Sequence, residues 1–160
     1  MKIRKAVESD TGTVSSILTE AADWLISKGE KLWERDELDP DSVAGQVSSG
    51  MFRLAYVDGE AAGCYRFQES DEEYWDDVPH RDSAFIHRVA VRRKFAGRGI
   101  STAMIEAAKD EARSIGKRLL RLDCRAESER LRAVYERQGF KFHSLKKREP
   151  YTVARYDFEL

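Results

Sequence analysis

The segment from Ala84 to Ser101, Ala-Phe-Ile-His-Arg-Val-Ala-Val-Arg-Arg-Lys-Phe-Ala-Gly-Arg-Gly-Ile-Ser, constrains the fold more than any other part of the chain. Phe85 to Val91 is a β-branched and aromatic run that reads as a strand. A basic turn then delivers Gly97-Arg98-Gly99 onto the start of an amphipathic helix, whose apolar positions include Ile100, Met104, Ala108 and Ala112 and whose stop is Gly116. Glycines at such a junction let backbone approach a ligand, because no Cβ intervenes. The helix behind them presents unpaired N–H groups and the positive end of its dipole. The combination is an anion cradle suited to a pyrophosphate. A tight turn that merely requires glycine is the competing account.

Two nucleotide signatures do not fit. A Walker loop needs Lys-Ser or Lys-Thr after its last glycine, and none follows Gly99. A dinucleotide fingerprint needs a third glycine where Thr102 stands. The segment instead resembles motif A of the GNAT superfamily of N-acetyltransferases, with Ala96 and Ser101 departing from the usual residues. Downstream, Val134-Tyr135-Glu136-Arg137-Gln138-Gly139-Phe140 resembles the family's motif B, Leu-Tyr-Glu-x-x-Gly-Phe. Ser128 occupies the place of the family's usual Asn. The specific motifs lie between Phe85 and Phe142, and the outline of elements extends over the whole chain.

The resemblance implies an α/β fold in the α+β sense: a central mixed, mostly antiparallel sheet with splayed central strands, flanked by about four helices. It also implies one domain over residues 1–160 and direct transfer of an acetyl group from acetyl-CoA to a primary amine. The pantetheine arm would pair with backbone of Val89, Ala90 and Val91, and the pyrophosphate would rest on Gly97, Arg98, Gly99, Ile100, Ser101 and Thr102. Ser128 would also contact the cofactor. Tyr135, a phenol protonated at neutral pH, would be the general acid toward the leaving thiolate. Asp123 is the first candidate base, with His87, Glu69, Asp71 and a water chain as alternatives. No metal is expected. A non-catalytic acyl-CoA sensor of the same fold is the alternative function, and retention of Tyr135 speaks against it. A nucleic-acid adaptor would rest on Arg92, Arg93, Lys94 and Arg98 alone; beside a phosphate cradle, attraction for the 3′-phosphate end of CoA accounts for them more simply.

Composition sets the bounds. The 160 residues, 41% hydrophobic and 36% charged, suit a chain that folds around a core. A net charge of −1 offers no global argument for nucleic acid. No apolar run reaches the ~20 residues of a membrane span, and Met1–Lys5 leads into no apolar leader segment. Cys64 and Cys124 lack metal-ligand spacing and read as buried, reduced thiols of a cytoplasmic protein. Acetyl-CoA and an amine acceptor are the expected partners, with a homodimer allowed and neither nucleic acid nor membrane involved.

Further signals punctuate the rest. Ser9 or Asp10 can cap a helix carrying Val14, Ile17, Leu18 and Leu25, and Asp39-Pro40 opens a second helix ending near Gly50. Asp58-Gly59 joins a hairpin of 52–57 and 61–67. Strands are expected at 3–7, 119–123, 140–143 and 153–159, and Ser128 can cap a helix over 129–138. Glu69 to Asp77 holds six carboxylates. It reads as a wet loop that would attract a cationic acceptor if it rims the site. Trp24, Trp33 and Trp75 could line an apolar acceptor wall, with core packing the plainer role for Trp24.

Overall fold

The computed structural model describes residues 1–160 and contains a seven-stranded sheet in the order β1-β2-β3-β4-β5-β7-β6. The strands are β1 (Lys2–Lys5), β2 (Phe52–Val57), β3 (Glu60–Gln68), β4 (Ser83–Val91), β5 (Leu119–Arg125), β6 (Lys141–Arg148) and β7 (Tyr151–Glu159). Four α-helices accompany them: α1 (Thr11–Ser27), α2 (Pro40–Ser48), α3 (Ile100–Ser114) and α4 (Glu129–Arg137). The β1–β2, β2–β3, β5–β7 and β6–β7 ladders are antiparallel, and β4–β5 is parallel. That parallel pairing is confined to Ser83–Phe85 against Leu119–Arg121. No helix is long and apolar enough to cross a membrane.

By internal contacts the chain divides into two units, residues 1–67 with 88–107 and residues 68–87 with 108–160. In the first unit, Val14, Ile17 and Leu18 of α1 and Val43 and Val47 of α2 pack with Phe52, Leu54, Cys64 and Ala90. Each of the buried Val, Ile, Leu and Phe side chains stabilises the fold by roughly 1.5–3 kcal/mol relative to exposure. Asp39 caps α2 as expected, its Oδ1 accepting from Ser42 N–H at 2.9 Å. Asp10 instead accepts from Val7 N–H and from Arg4, so it orders the turn before α1 rather than capping that helix. Asp58 and Gly59 have φ of 51° and 79°, the left-handed pair that a two-residue hairpin needs. A Cβ at Gly63 would come 2.7 Å from Ala90 O, so this strand position admits no side chain.

In the second unit, α4 ends in a Schellman turn. Phe140 N–H donates to Tyr135 O and Gly139 N–H to Glu136 O, both at 3.1 Å. Gly139 has the required positive φ of 89°, and the Tyr135 and Phe140 rings meet edge-on at 6.2 Å. The Tyr-x-x-x-Gly-Phe spacing is therefore a helix terminator with its hydrophobic contact. β6 extends to Arg148, well past the expected His143, because its polar stretch completes an edge strand on β7. β5 likewise runs on to Arg125, so Asp123 lies within the strand. The acidic loop also departs from a fully wet one: Trp75 is completely buried and Asp71 nearly so.

Candidate active site

The first unit carries the glycine turn. Gly97 and Gly99 have φ of 75° and 76°, which residues with a Cβ rarely adopt, and a Cβ at either would meet nothing within 4 Å. The backbone conformation thus demands glycine while open space lies in front of it. The first hydrogen bond into α3 runs from Ala103 N–H to Gly99 O at 3.0 Å. The preceding N–H groups of the helix start are left without intrahelical acceptors. Ile100 is buried as an anchor, whereas Ala96 to Gly99 and Thr102 are exposed. Within β4, Val89 and Val91 are partly exposed and Ala90 is buried.

The basic cluster beside this turn is partly neutralised. Arg92 donates to Ser16 Oγ and Glu20, and Lys94 pairs with Glu60 at 2.7 Å. Arg93 stacks on Trp24 at 3.7 Å and Arg98 on Phe95 at 5.3 Å, leaving these two guanidinium groups for an anion. Trp24 is therefore a stacking platform for Arg93.

The second unit holds an Asp–His–Asp cluster. His87 Nε2 lies 2.7 Å from Asp71 Oδ2, and His87 Nδ1 lies 3.8 Å from Asp123 Oδ2. The three side chains are 3–8% exposed. Burial works to raise Asp71, but the hydrogen bond and charge of His87 and the N–H groups of Tyr74 and Glu73 overcome it, so its pKa falls below the usual carboxylate value. Asp71 is thus the ionised acceptor, and Nε2–H the donor. In a neutral imidazole, Nδ1 is then unprotonated on the Asp123 side. Burial pushes Asp123 up to about 6; the charges of Asp71 and Glu73 add to this, while His87 and the indole N–H of Trp75 oppose it. Two carboxylates of unequal acidity flank one imidazole, an arrangement able to take up a proton near neutral pH. One ligand atom from each residue lies within 4.8 Å of the others, so the set could also hold a cation.

Tyr135 is partly exposed, and no protein group is hydrogen-bonded to its hydroxyl. Burial, then the Cys124 and Asp123 charges, push its pKa up, so it remains a phenol. Ser128 caps α4, its Oγ accepting from Leu131 N–H at 3.4 Å. Cys64 and Cys124 are buried free thiols, with pKa values pushed up to about 12 mainly by burial. Tyr74 and Tyr151, which carry no signal in the sequence, share a hydrogen bond between their hydroxyls at 2.7 Å beside His87. No local spacing links residues so far apart.

The six loop carboxylates all have basic partners within the same unit. Glu69 meets Lys117, Asp71 meets His87, and Glu72 meets His80. Glu73 meets Arg148, Asp76 meets Lys146, and Asp77 meets Arg155. The loop is stapled to its own unit, with four of its six carboxylates paired to a lysine or arginine and two set beside histidines.

The sequence model of the Acetyltransferase (GNAT) family matches residues 17–140. The chain belongs to the GNAT acetyltransferase family. This acetyltransferase is 30% identical over 143 residues to the uncharacterized N-acetyltransferase YesJ of Bacillus subtilis, a match covering 86% of this chain and 79% of YesJ. A GNAT-family acetyltransferase of Listeria monocytogenes superposes with a TM-score of 0.81 at 25% identity, covering 99% and 94% of the two chains. The yncA protein of Salmonella typhimurium, whose structure contains its cofactor acetyl-CoA, shares the fold at a TM-score of 0.74 and 17% identity, covering 99% and 93%.

Proposed function

We propose that this acetyltransferase moves the acetyl group of acetyl-CoA to a primary amine by direct attack, and that residues 1–160 act as one catalytic domain in the cytoplasm. The observation that carries cofactor binding is the glycine turn, with left-handed Gly97 and Gly99, open space in front of them and free N–H groups at the start of α3. The pyrophosphate rests on the backbone from Gly97 to Thr102, with Arg93 and Arg98 toward the 3′-phosphate end. Backbone groups of Val89 to Val91 pair with the amides of the pantetheine arm. YncA, of the same fold and holding acetyl-CoA, supports this assignment.

The acceptor enters as an ammonium, and its proton passes to Asp123, directly or through His87. The neutral nitrogen attacks the thioester carbonyl carbon, forming the C–N bond as the C–S bond breaks. Tyr135 gives its proton to the departing thiolate, and the phenolate regains one as the acylated nitrogen sheds its second proton, which leaves a neutral amide and a free CoA thiol; the free hydroxyl of Tyr135 favours this role over packing alone. Asp71 holds the His87 tautomer, so it is a positioning residue. An acyl-CoA sensor would need neither Tyr135 nor the Asp–His–Asp cluster. Free-thiol release from acetyl-CoA in the presence of an amine panel tests the reading. Tight acetyl-CoA binding without thiol release from any amine would leave the sensor.

A further inference from the structure

Arg88 carries two unfavourable features at once. It is a non-glycine residue in the left-handed region, with φ of 57° inside β4, a conformation that costs of order 1–3 kcal/mol unless its surroundings impose it. Its guanidinium is also incompletely paired. Nη2 donates to Glu37 Oε2 at 3.0 Å, whereas Nη1 is buried with no hydrogen-bond partner. The side chain is 15% exposed and lies over the Trp33 ring at 5.4 Å. A guanidinium presents its donors as a planar fork that matches a carboxylate, and leaving one buried prong unpaired is unfavourable.

The single counter-ion is easily displaced. Glu37 belongs to the three-residue 3₁₀ turn Arg35–Glu37 between α1 and α2, and its side chain is 53% exposed. It takes one prong only. A ligand carboxylate arriving here would satisfy both Nη atoms in bidentate fashion, with Trp33 as a flat wall beside it. We propose that Arg88 is the carboxylate-recognising residue of the acceptor site, so that the acetylated amine belongs to an amino acid or a related aminocarboxylic acid. The inference rests on the acetyl-transfer reading and narrows its substrate class. It differs from the cationic acceptor suggested by the acidic loop, four of whose six carboxylates are already paired with a lysine or arginine.

The test compares free amino acids with their C-terminal amides, which keep the amine and lose the carboxylate, by thiol release from acetyl-CoA. Acids should exceed their amides by about 10–100-fold in kcat/KM, the range expected of a charge-assisted hydrogen bond. Arg88→Gln should bring that ratio toward one through KM, with acetyl-CoA affinity measured by calorimetry as the check on folding. Glu37→Gln removes the competing counter-ion and should lower KM for the acids, an opposite effect that does not depend on Arg88→Gln folding. Amides turned over as well as acids, or an unchanged acid-to-amide ratio in Glu37→Gln, would overturn the carboxylate assignment while acetyl transfer stands. No thiol release from either panel would overturn both.

Discussion

The indole Nε1–H of Trp75 donates to Asp123 Oδ2 at 3.2 Å, so a completely buried residue of the acidic loop touches the carboxylate proposed as base. The bond favours the ionised form and works against the burial that raises Asp123. A base acts when ionised, so kcat/KM should rise with pH through about 6. Trp75→Phe removes the donor and should move that acid limb to higher pH. Asp123→Asn should abolish the limb and lower kcat by ~10²–10⁴-fold. A pH profile of kcat/KM for the three proteins checks both statements.

The same carboxyl has a stability consequence of opposite sign. Its folded pKa of about 6 lies above the ordinary aspartate value of 3.8, so the native state holds the proton more tightly than the unfolded chain. Stability from this group should therefore fall as pH rises from about 3.8 to about 6 and stay low above it. Asp123→Asn, always neutral, should unfold at higher urea than the parent at pH 7 and show a smaller difference at pH 4.

Gly99→Val should weaken acetyl-CoA binding at least tenfold and lower stability by about 1–2 kcal/mol, because φ of 76° strains a β-branched residue and its side chain enters the space before the N–H groups. Calorimetry for affinity and urea unfolding for stability separate the two effects.

Tyr135→Phe keeps the edge-on contact with Phe140 and the Schellman turn while removing one hydroxyl. It should lower kcat by ~10²-fold or more, with little change in thermal midpoint or in acetyl-CoA affinity. Single-turnover kinetics, which isolate the chemical step, give the measurement.

Asp77 is a staple rather than an electrostatic lure. It accepts two hydrogen bonds from Arg155, at 2.6 and 3.2 Å, and Arg155 also donates to Tyr74 O. Asp77→Asn should cost about 2 kcal/mol by leaving a buried guanidinium short of its counter-ion. KM for the acceptor should show little added salt dependence. Urea unfolding and KM at two ionic strengths test this pair of outcomes.

The turn, the four helices and most strands were readable because their signals are local. Asp39-Pro40, Asp58-Gly59, Gly97-x-Gly99 and Gly139-Phe140 each specify backbone within a few residues. The sequence marks β6 only as far as His143 because Ser144 to Arg148 lacks apolar alternation; its register comes from pairing with β7. The proton-handling cluster was legible only in part. Asp123 and His87 stand on strands where alternation hints at a shared face, but Asp71 and Trp75 lie in a run whose charge suggested solvent. Their burial depends on partners far along the chain, such as Arg155 and Tyr151, which no local pattern announces.

His87 and Arg88 are consecutive residues that touch disjoint sets of neighbours: Asp71, Asp123 and Tyr74 for one, Glu37 and Trp33 for the other. A single peptide bond therefore joins the residue proposed to handle the proton to the one proposed to recognise the acceptor, without any side chain shared between them. On that proposal, substitution at 88 should redirect which molecule is modified while the chemistry proposed at 87 persists. A one-residue insertion or deletion in β4 would disrupt both together, because it exchanges the directions in which strand residues point. Acceptor choice in this chain should therefore respond to a single substitution at 88, whereas the length of β4 should tolerate no change.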